Sequence, residues 1–279
     1  MDEWNVKPHI NNTKEAERYF YNSADWLYKN ADYQSGLPHF IYKFNWPYKG
    51  YPSGGLEAPW WSGLTDGYAI ILLLRAYDYF KEEKFLVLAG DLYKSVLTKV
   101  EDGGSLSFIK GQPWIEEYID PRFKSENMAY VFNGMVYATY GIEAYENFSK
   151  ISNRKSESLY RAIFNMLPFF DRNGWSDYDL LGNSNNIKYH KIHVALLGDL
   201  LKRKNGKIKE DAASIAMRWR WTAQNPGVYY LLYGPRGVAY YHFVVLLFAV
   251  INIPALLYVI ISYRSKRNDE IMADYSNRG

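Results

Sequence analysis

Two segments of this chain echo each other: Asp66-Gly-Tyr-Ala-Ile-Ile-Leu-Leu-Leu-Arg-Ala-Tyr77 and Asn133-Gly-Met-Val-Tyr-Ala-Thr-Tyr-Gly-Ile-Glu-Ala-Tyr145. In each, a polar residue and a glycine open an apolar helical run that an Ala-Tyr pair closes. Working outward, helical spacing predicts a helix over 61–80 with a second over 84–100, ended by Glu101-Asp-Gly-Gly104. The later copy predicts helices over 129–148 and 156–166, and a third pair falls at 192–204 and 209–222. Ala16, Phe20, Ala24 and Leu27 give a further helix over 14–31. Strands are expected at 105–109 and 114–119, around Lys110-Gly-Gln-Pro113. A hairpin is expected with arms 171–181 and 187–189 and its turn at Gly182-Asn-Ser-Asn-Asn186. Residues 42–59, rich in Gly, Pro and aromatics, read as irregular.

Helix pairs alternating with hairpins suggest a repeat architecture in which each pair buries a face against the next. The expected fold is therefore mainly α, an α/α toroid (an incomplete α/α barrel) of helical hairpins with short β-hairpins at its cleft. A linear helical solenoid is the alternative.

Composition narrows the function. The 279 residues carry 33 Lys plus Arg against 30 Asp plus Glu, a net charge of +3, which gives nucleic-acid binding by phosphate neutralisation little support. With 48% apolar and 23% charged residues the chain is globular rather than disordered. The absence of cysteine excludes disulfides, thiolate metal sites and a Cys nucleophile. The aromatic content is high, with 27 Tyr, 14 Phe and 9 Trp.

From Gly237 to Tyr263 there is no charged residue, and Val244 to Ile261 is long and apolar enough for a membrane-spanning helix, with Pro254 and Asn252 inside it. Tyr240, Tyr241 and Tyr263 lie where interfacial aromatics belong. Arg264, Lys266 and Arg267 follow the span against Arg236 before it, so the positive-inside rule places the tail in the cytoplasm and the main domain outside or in a lumen. Met1-Asp-Glu-Trp-Asn-Val-Lys-Pro8 has no apolar h-region, which suits a tail-anchored protein with a cytosolic domain instead. The expected organisation is a helical segment at 1–35, the toroid at 36–225, a juxtamembrane linker at 226–237, the span at 238–263 and a basic polar tail at 264–279. The oligomeric state stays open, a homodimer included.

Three polar-aromatic clusters fall on predicted hairpins: Trp114-Ile-Glu-Glu-Tyr118, Ser176-Asp-Tyr-Asp179 and Tyr189-His-Lys-Ile-His193. His190 and His193 stand three apart, but no third ligand and no His-Glu-x-x-His accompany them, so no metal site is assigned. No Walker A, Gly-x-Gly-x-x-Gly or Gly-x-Ser-x-Gly motif occurs.

These clusters carry a resemblance. Pro59-Trp-Trp-Ser-Gly-Leu-Thr-Asp-Gly-Tyr-Ala69 with Leu74-Arg-Ala-Tyr77 resembles a signature block of the D-glucuronyl C5-epimerase C-terminal domain. Trp114-Ile-Glu-Glu-Tyr118, Val131-Phe-Asn-Gly134, Met166-Leu-Pro168 with Asp171, Tyr178-Asp-Leu180, Tyr189-His-x-x-His193 and Arg218-Trp219 follow in the same order. The resemblance covers residues 36–221. It implies epimerisation at C5 of a glucuronosyl residue in a polysaccharide, with no cofactor. Such chemistry needs two acid/base groups flanking the sugar and donors that neutralise its carboxylate. The resemblance implies Glu117, Tyr118, Tyr178 and Tyr189 as catalytic, with Glu117 and Tyr189 as the two-face pair. Trp60, Asn133, His190 and His193 would line the cleft or orient these groups. Where the family has Arg-His after Tyr-Asp-Leu, this chain has Leu181-Gly182. Lys188, Arg122 or a protonated tyrosine would then meet the carboxylate. A polysaccharide lyase on the same scaffold and a non-catalytic glycan-binding protein are the alternatives.

Overall fold

A computed structural model describes residues 13–123, 128–204, 210–234 and 239–276. The chain divides into two units, one ending at Ala223 and the other beginning at Gln224. The first unit opens with α1 (Thr13–Asn30), followed by the antiparallel pair β1 (Asp32–Gln34) and β2 (Leu37–His39). Residues 42–59, expected as irregular, contribute strands to two small ladders, and Trp61, expected to open a helix, is in one of them. In these, β3 (Ile41–Tyr42) pairs with β6 (Trp60–Trp61), and β4 (Trp46–Pro47) with β5 (Gly55–Leu56). The helical hairpin α2 (Gly63–Phe80) and α3 (Glu83–Leu97) comes next, then β7 (Leu106–Ile109) and β8 (Gln112–Ile115). After these come α4 (Phe132–Phe148), α5 (Ser156–Phe170), the pair β9 (Asp171–Arg172) and β10 (Trp175–Ser176), α6 (Ile187–Arg203) and α7 (Glu210–Gln224).

The helical hairpins make an incomplete α/α toroid. The first helices of successive hairpins pack in turn, α2 on α4 and α4 on α6, while α3 lies on α2 and α5 on α4. Their shared core includes Ile70, Leu73, Leu88, Leu92, Met135, Ile142, Ile163, Leu167 and Leu197. Two glycines explain how closely α2 and α4 approach: Gly67, of the first echoed pair, and Gly141, further along the second helix. A Cβ on Gly141 would fall on the Gly67 carbonyl oxygen, and one on Gly67 would come within 2.7 Å of the Ala138 Cα. Two backbones can meet this way only where side chains are missing.

Three hairpins share one turn chemistry. Ser35-Gly36, Lys110-Gly111 and Asn173-Gly174 each place two successive residues at positive φ, as two-residue loops between right-twisted strands require. The hairpin expected to turn at 182–186 therefore turns earlier, at Asn173-Gly174. Residues 187–189 are not a strand; they open α6, because the Asn186 side chain accepts the Tyr189 N–H at 3.0 Å and caps the helix. Likewise β8 ends at Ile115, so 116–119 lie beyond the hairpin.

In the second unit, α8 (Pro226–Tyr233) occupies part of the expected linker. Helix α9 (Ala239–Ser276) runs through the expected span and into the polar tail. Within it, Val244–Ser265 has a mean hydropathy of 2.8 and is long and apolar enough to cross a membrane.

Substituting Gly141→Ala inserts a methyl group against fixed backbone, so neither helix can relax by rotating a side chain. The variant should lose about 3 kcal/mol of stability, read as a lowered denaturant midpoint.

Candidate active site

Hydrogen bonds from distant parts of the chain hold the segment after β8. Trp61 and Ile119 exchange both backbone bonds, at 3.0 and 2.9 Å, and Gly63 N–H donates to the Glu116 carbonyl at 3.1 Å. The fully buried Glu116 carboxylate accepts from Ser107 Oγ and from the Tyr130 N–H, tying 116 to 130. Tyr51 Oη donates to the Tyr118 carbonyl at 2.9 Å. Facing this segment is the one after β10. Tyr178 N–H donates to Asn183 O at 2.8 Å, and the Tyr178 carbonyl accepts the Phe132 N–H at the start of α4.

The result brings Glu117, Tyr118 and Tyr178 together from opposite sides of the cleft. The Tyr118 and Tyr178 hydroxyls are 2.8 Å apart, and Tyr178 Oη donates to Glu117 Oε1 at 3.3 Å. Tyr189, in the first turn of α6, sets its ring edge-on to Tyr178 with centroids 5.3 Å apart. Tyr178 thus stands between Glu117 and Tyr189. Of the four, Tyr189 is the most open to solvent, at 37% exposure, whereas Glu117 is 8% exposed.

Asn133 and Gly134 each have a task here. Asn133 Nδ2 donates to Glu117 Oε2 at 3.2 Å. A Cβ at Gly134 would lie 2.6 Å from the Glu117 Cβ, so glycine makes room for the carboxylate. Behind Asn133 runs a relay of oriented amides and imidazole. Asn185 Nδ2 donates to His193 Nδ1 at 3.0 Å, which leaves the His193 Nε2–H to donate to Asn133 Oδ1 at 3.3 Å. Both histidines are held neutral: burial lowers His193 to about 3 and His190 to about 4.

His190 does not reach the cluster. Its Nδ1 accepts the Ser176 N–H, its Nε2 faces Trp219 O and Thr222 Oγ1, and its ring stacks on Trp175 at 4.1 Å. It fixes β10 against α7. Asp171, earlier in that hairpin, accepts from Arg218 and from the Trp219 indole, which accounts for both motifs structurally. Arg122 is also turned elsewhere. Its guanidinium makes a bidentate bond with Asp120 and pairs with Glu57, so its charge is already met. Lys188 is exposed beside Tyr189 at the start of α6. Trp60, 4% exposed, lies 5.9 Å from the Tyr118 ring and lines a cleft of about 290 Å³ with Glu117 and Tyr118. Among the described residues, no three His, Asp or Glu side chains are grouped to hold a metal ion.

Sequence patterns do not single out Tyr48, and Asp179 stands in them only as a member of the Ser176–Asp179 cluster. Tyr48 Oη donates to Asp179 Oδ2 at 2.5 Å, and its ring lies 4.9 Å from that of Tyr118. Asp179 also accepts from the Leu181 and Asn183 N–H groups, shaping the loop behind Tyr178. Asp179 lay inside a quoted cluster, but nothing in the sequence joined it to Tyr48, 131 positions away.

Burial dominates the site's electrostatics. It pushes Glu117 up to about 7, against the opposing hydrogen bonds of Tyr118, Tyr178 and Asn133. Tyr118 and Tyr178 are raised far above the ordinary phenol range, first by burial and then by the nearby Glu117 charge. Both therefore stay protonated and act as hydrogen-bond donors, while Glu117 exchanges its proton near neutral pH.

The family model described as the D-glucuronyl C5-epimerase C-terminus matches residues 35–221. The chain belongs to the D-glucuronyl C5-epimerase C-terminal family. It is 28% identical over 219 residues to the D-glucuronyl C5-epimerase of Caenorhabditis elegans, covering 70% of this chain and 34% of that protein. It is 29% identical over 197 residues to an uncharacterized protein of Methanocaldococcus jannaschii, covering 65% of this chain and 61% of that one. The chain thus spans between a third and three fifths of these two relatives' lengths. Among solved structures, the cellobiose 2-epimerase of Spirochaeta thermophila superposes with a TM-score of 0.47 at 10% identity, covering 77% of this chain and 55% of that one.

A carboxyl raised from 4.5 to about 7 binds its proton more tightly in the folded chain than in the unfolded one. Wild type should therefore lose stability relative to Glu117→Gln as pH rises from about 4.5 to 7. The total lost across that window is roughly 3 kcal/mol. Denaturant titrations of both proteins at pH 4, 6 and 8 measure it.

Proposed function

We propose that this protein is a uronic-acid C5-epimerase that converts D-glucuronosyl to L-iduronosyl residues within a polysaccharide. The observation that carries this reading is the cluster in which Tyr178 bridges Glu117 and Tyr189 beside a second buried phenol, Tyr118. Membership of the epimerase family supports it.

The hydrogen on C5 is acidic only because the adjacent carboxylate can take up its electron pair. One acid/base group removes the proton as the C5–H electrons move into the carboxyl group, giving an enolate-like species. A group on the opposite face then delivers a proton to C5, and inversion results. Glu117, whose proton affinity lies near neutral pH, suits one face, and Tyr189 the other. Tyr118 and Tyr178 remain protonated and donate hydrogen bonds to the substrate carboxylate, strengthening as its charge accumulates. These two phenols fill the role of the arginine replaced by Leu181-Gly182. After each turnover Glu117 and Tyr189 have exchanged protonation states, and the solvent-exposed Tyr189 offers the route for resetting them.

On the same reading, Val244–Ser265 anchors the chain in a membrane. The basic residues after the span then place the catalytic unit on the lumenal or outer side.

Incubating the full-length protein with an unsulfated glucuronan in deuterated water should place deuterium at C5 and generate iduronosyl residues detectable by NMR. Glu117→Gln and Tyr189→Phe should each lower this exchange by at least about 100-fold. Unsaturated, ultraviolet-absorbing products would indicate elimination and overturn the epimerase reading. Wild-type exchange in both variants would overturn the residue assignment.

A further inference from the structure

Tyr48 and Asp179 form a buried pair that the proposed proton transfers leave unused. Tyr48 lies in the loop between β4 and β5 and Asp179 in the segment after β10, and both are nearly closed to solvent, at 7% and 1% exposure. The two stretches clasp each other. Tyr48 Oη donates to Asp179 Oδ2, Asn183 Nδ2 donates to the Lys49 carbonyl at 2.8 Å, and a Cβ on Gly50 would lie 3.1 Å from the Leu181 Cβ. The clasp reaches the acid/base cluster from both sides. Tyr51, on the same loop as Tyr48, holds the Tyr118 carbonyl, and the Tyr48 ring lies 4.9 Å from that of Tyr118. Asp179 follows Tyr178 directly in the chain. The Tyr48–Asp179 bond therefore ties the support of Tyr118 to that of Tyr178, the two phenols whose hydroxyls meet at 2.8 Å.

Asp179 contributes charge as well as position. Its oxygens accept from Tyr48 Oη, from Asn183 Nδ2 and from the Leu181 and Asn183 N–H groups, all of them neutral donors. An ionised carboxylate, which only accepts, matches such a shell. Its charge adds to burial in raising Glu117. Tyr118 on the same segment, Tyr178 opposite, Glu116 behind, and Tyr189 and His193 on α6 stand around Glu117 as further titratable groups. Burial keeps Tyr118, Tyr178 and His193 uncharged and pushes Glu116 up to about 8.

We propose that Tyr48 and Asp179 are positioning residues for the acid/base cluster: their bond keeps Tyr118 and Tyr178 in contact, and the Asp179 carboxylate sets a fixed negative charge near Glu117. The part the cluster plays in epimerisation rests on the reading given above, while the clasp itself rests on the geometry alone.

Carbon NMR of the full-length protein in detergent, isotopically labelled at the glutamate carboxyls, reads the titration of Glu117, and Glu117→Gln assigns its signal. Asp179→Asn should move that titration down by about one pH unit, because a like charge is removed. Tyr48→Phe keeps the ring against Tyr118 but takes a donor from Asp179, and should move the titration up by roughly half a pH unit. A merely structural clasp would admit water in both variants and move both titrations down, toward the ordinary carboxyl. In the C5 exchange assay, Tyr48→Phe should lower kcat roughly tenfold and leave KM within about twofold. A Glu117 titration left unchanged in either folded variant would overturn the proposal, as would shifts in the same direction in both. A wild-type kcat in Tyr48→Phe would overturn it too. If circular dichroism shows Asp179→Asn unfolded, Tyr48→Phe decides alone: an upward shift upholds the proposal, and an unchanged or downward one sinks it. Opposite shifts in a protein that shows no C5 exchange would uphold the clasp and defeat the epimerase reading. Exchange that proceeds normally while both titrations stay put would do the reverse.

Discussion

The closeness of α2 to α4 is the constraint from which the site follows. Gly67 and Gly141 meet backbone to backbone, and the first turns of the two helices, at Gly63 and at Asn133-Gly134, both contact the chain at 116–117. On one side Gly63 N–H and the β6 strand grip 116–119; on the other, Asn133 binds Glu117 and Gly134 gives it space. Had either helix carried an ordinary side chain at the crossing, the gap would widen and this grip would be lost. The polar-glycine pairs that echo in the sequence are thus two uses of one device. Asp66 binds His39 and the Phe40 N–H, and Asn133 binds Glu117, while the glycine beside each admits a close neighbour.

Around Glu117 the protein surrounds a buried carboxyl with neutral donors rather than with a cation. Asn185, His193 and Asn133 form a directional relay, and two phenols complete the shell. A guanidinium placed beside Glu117 would hold it ionised far below neutral pH. Neutral donors offset only part of the burial penalty, so its proton remains exchangeable. That choice suits the proton exchange proposed for Glu117, and it agrees with Arg122 being engaged by Asp120 and Glu57 instead.

Much of the fold was legible because helices announce themselves by spacing, and the repeat by its glycine pairs. The misreadings have physical causes. Gly182-Asn-Ser-Asn-Asn186 has the composition of a turn, yet its last residue is a helix cap, and composition does not separate these roles. Asn173-Gly174 carried the true hairpin signal two residues into the expected first arm. Tyr189 consequently sits on a helix, with its ring edge-on to that of Tyr178. His190, expected to line the cleft or orient its groups, and the Arg218-Trp219 motif brace β9, β10 and α7 to one another.

The sequence by itself determined the helical hairpins, the apolar C-terminal segment and the family, because each is written in local spacing or in ordered motifs. It also named Glu117, Tyr118, Tyr178 and Tyr189. Only the tertiary structure decided how these residues behave. The Tyr118–Tyr178 and Glu117–Tyr178 bonds join positions 60 and 61 apart, and Tyr48 reaches Asp179 across 131. Which phenol stays protonated, how tightly Glu117 holds its proton and which arginine is already paired all depend on exclusion of water by those distant partners. No local pattern encodes that exclusion.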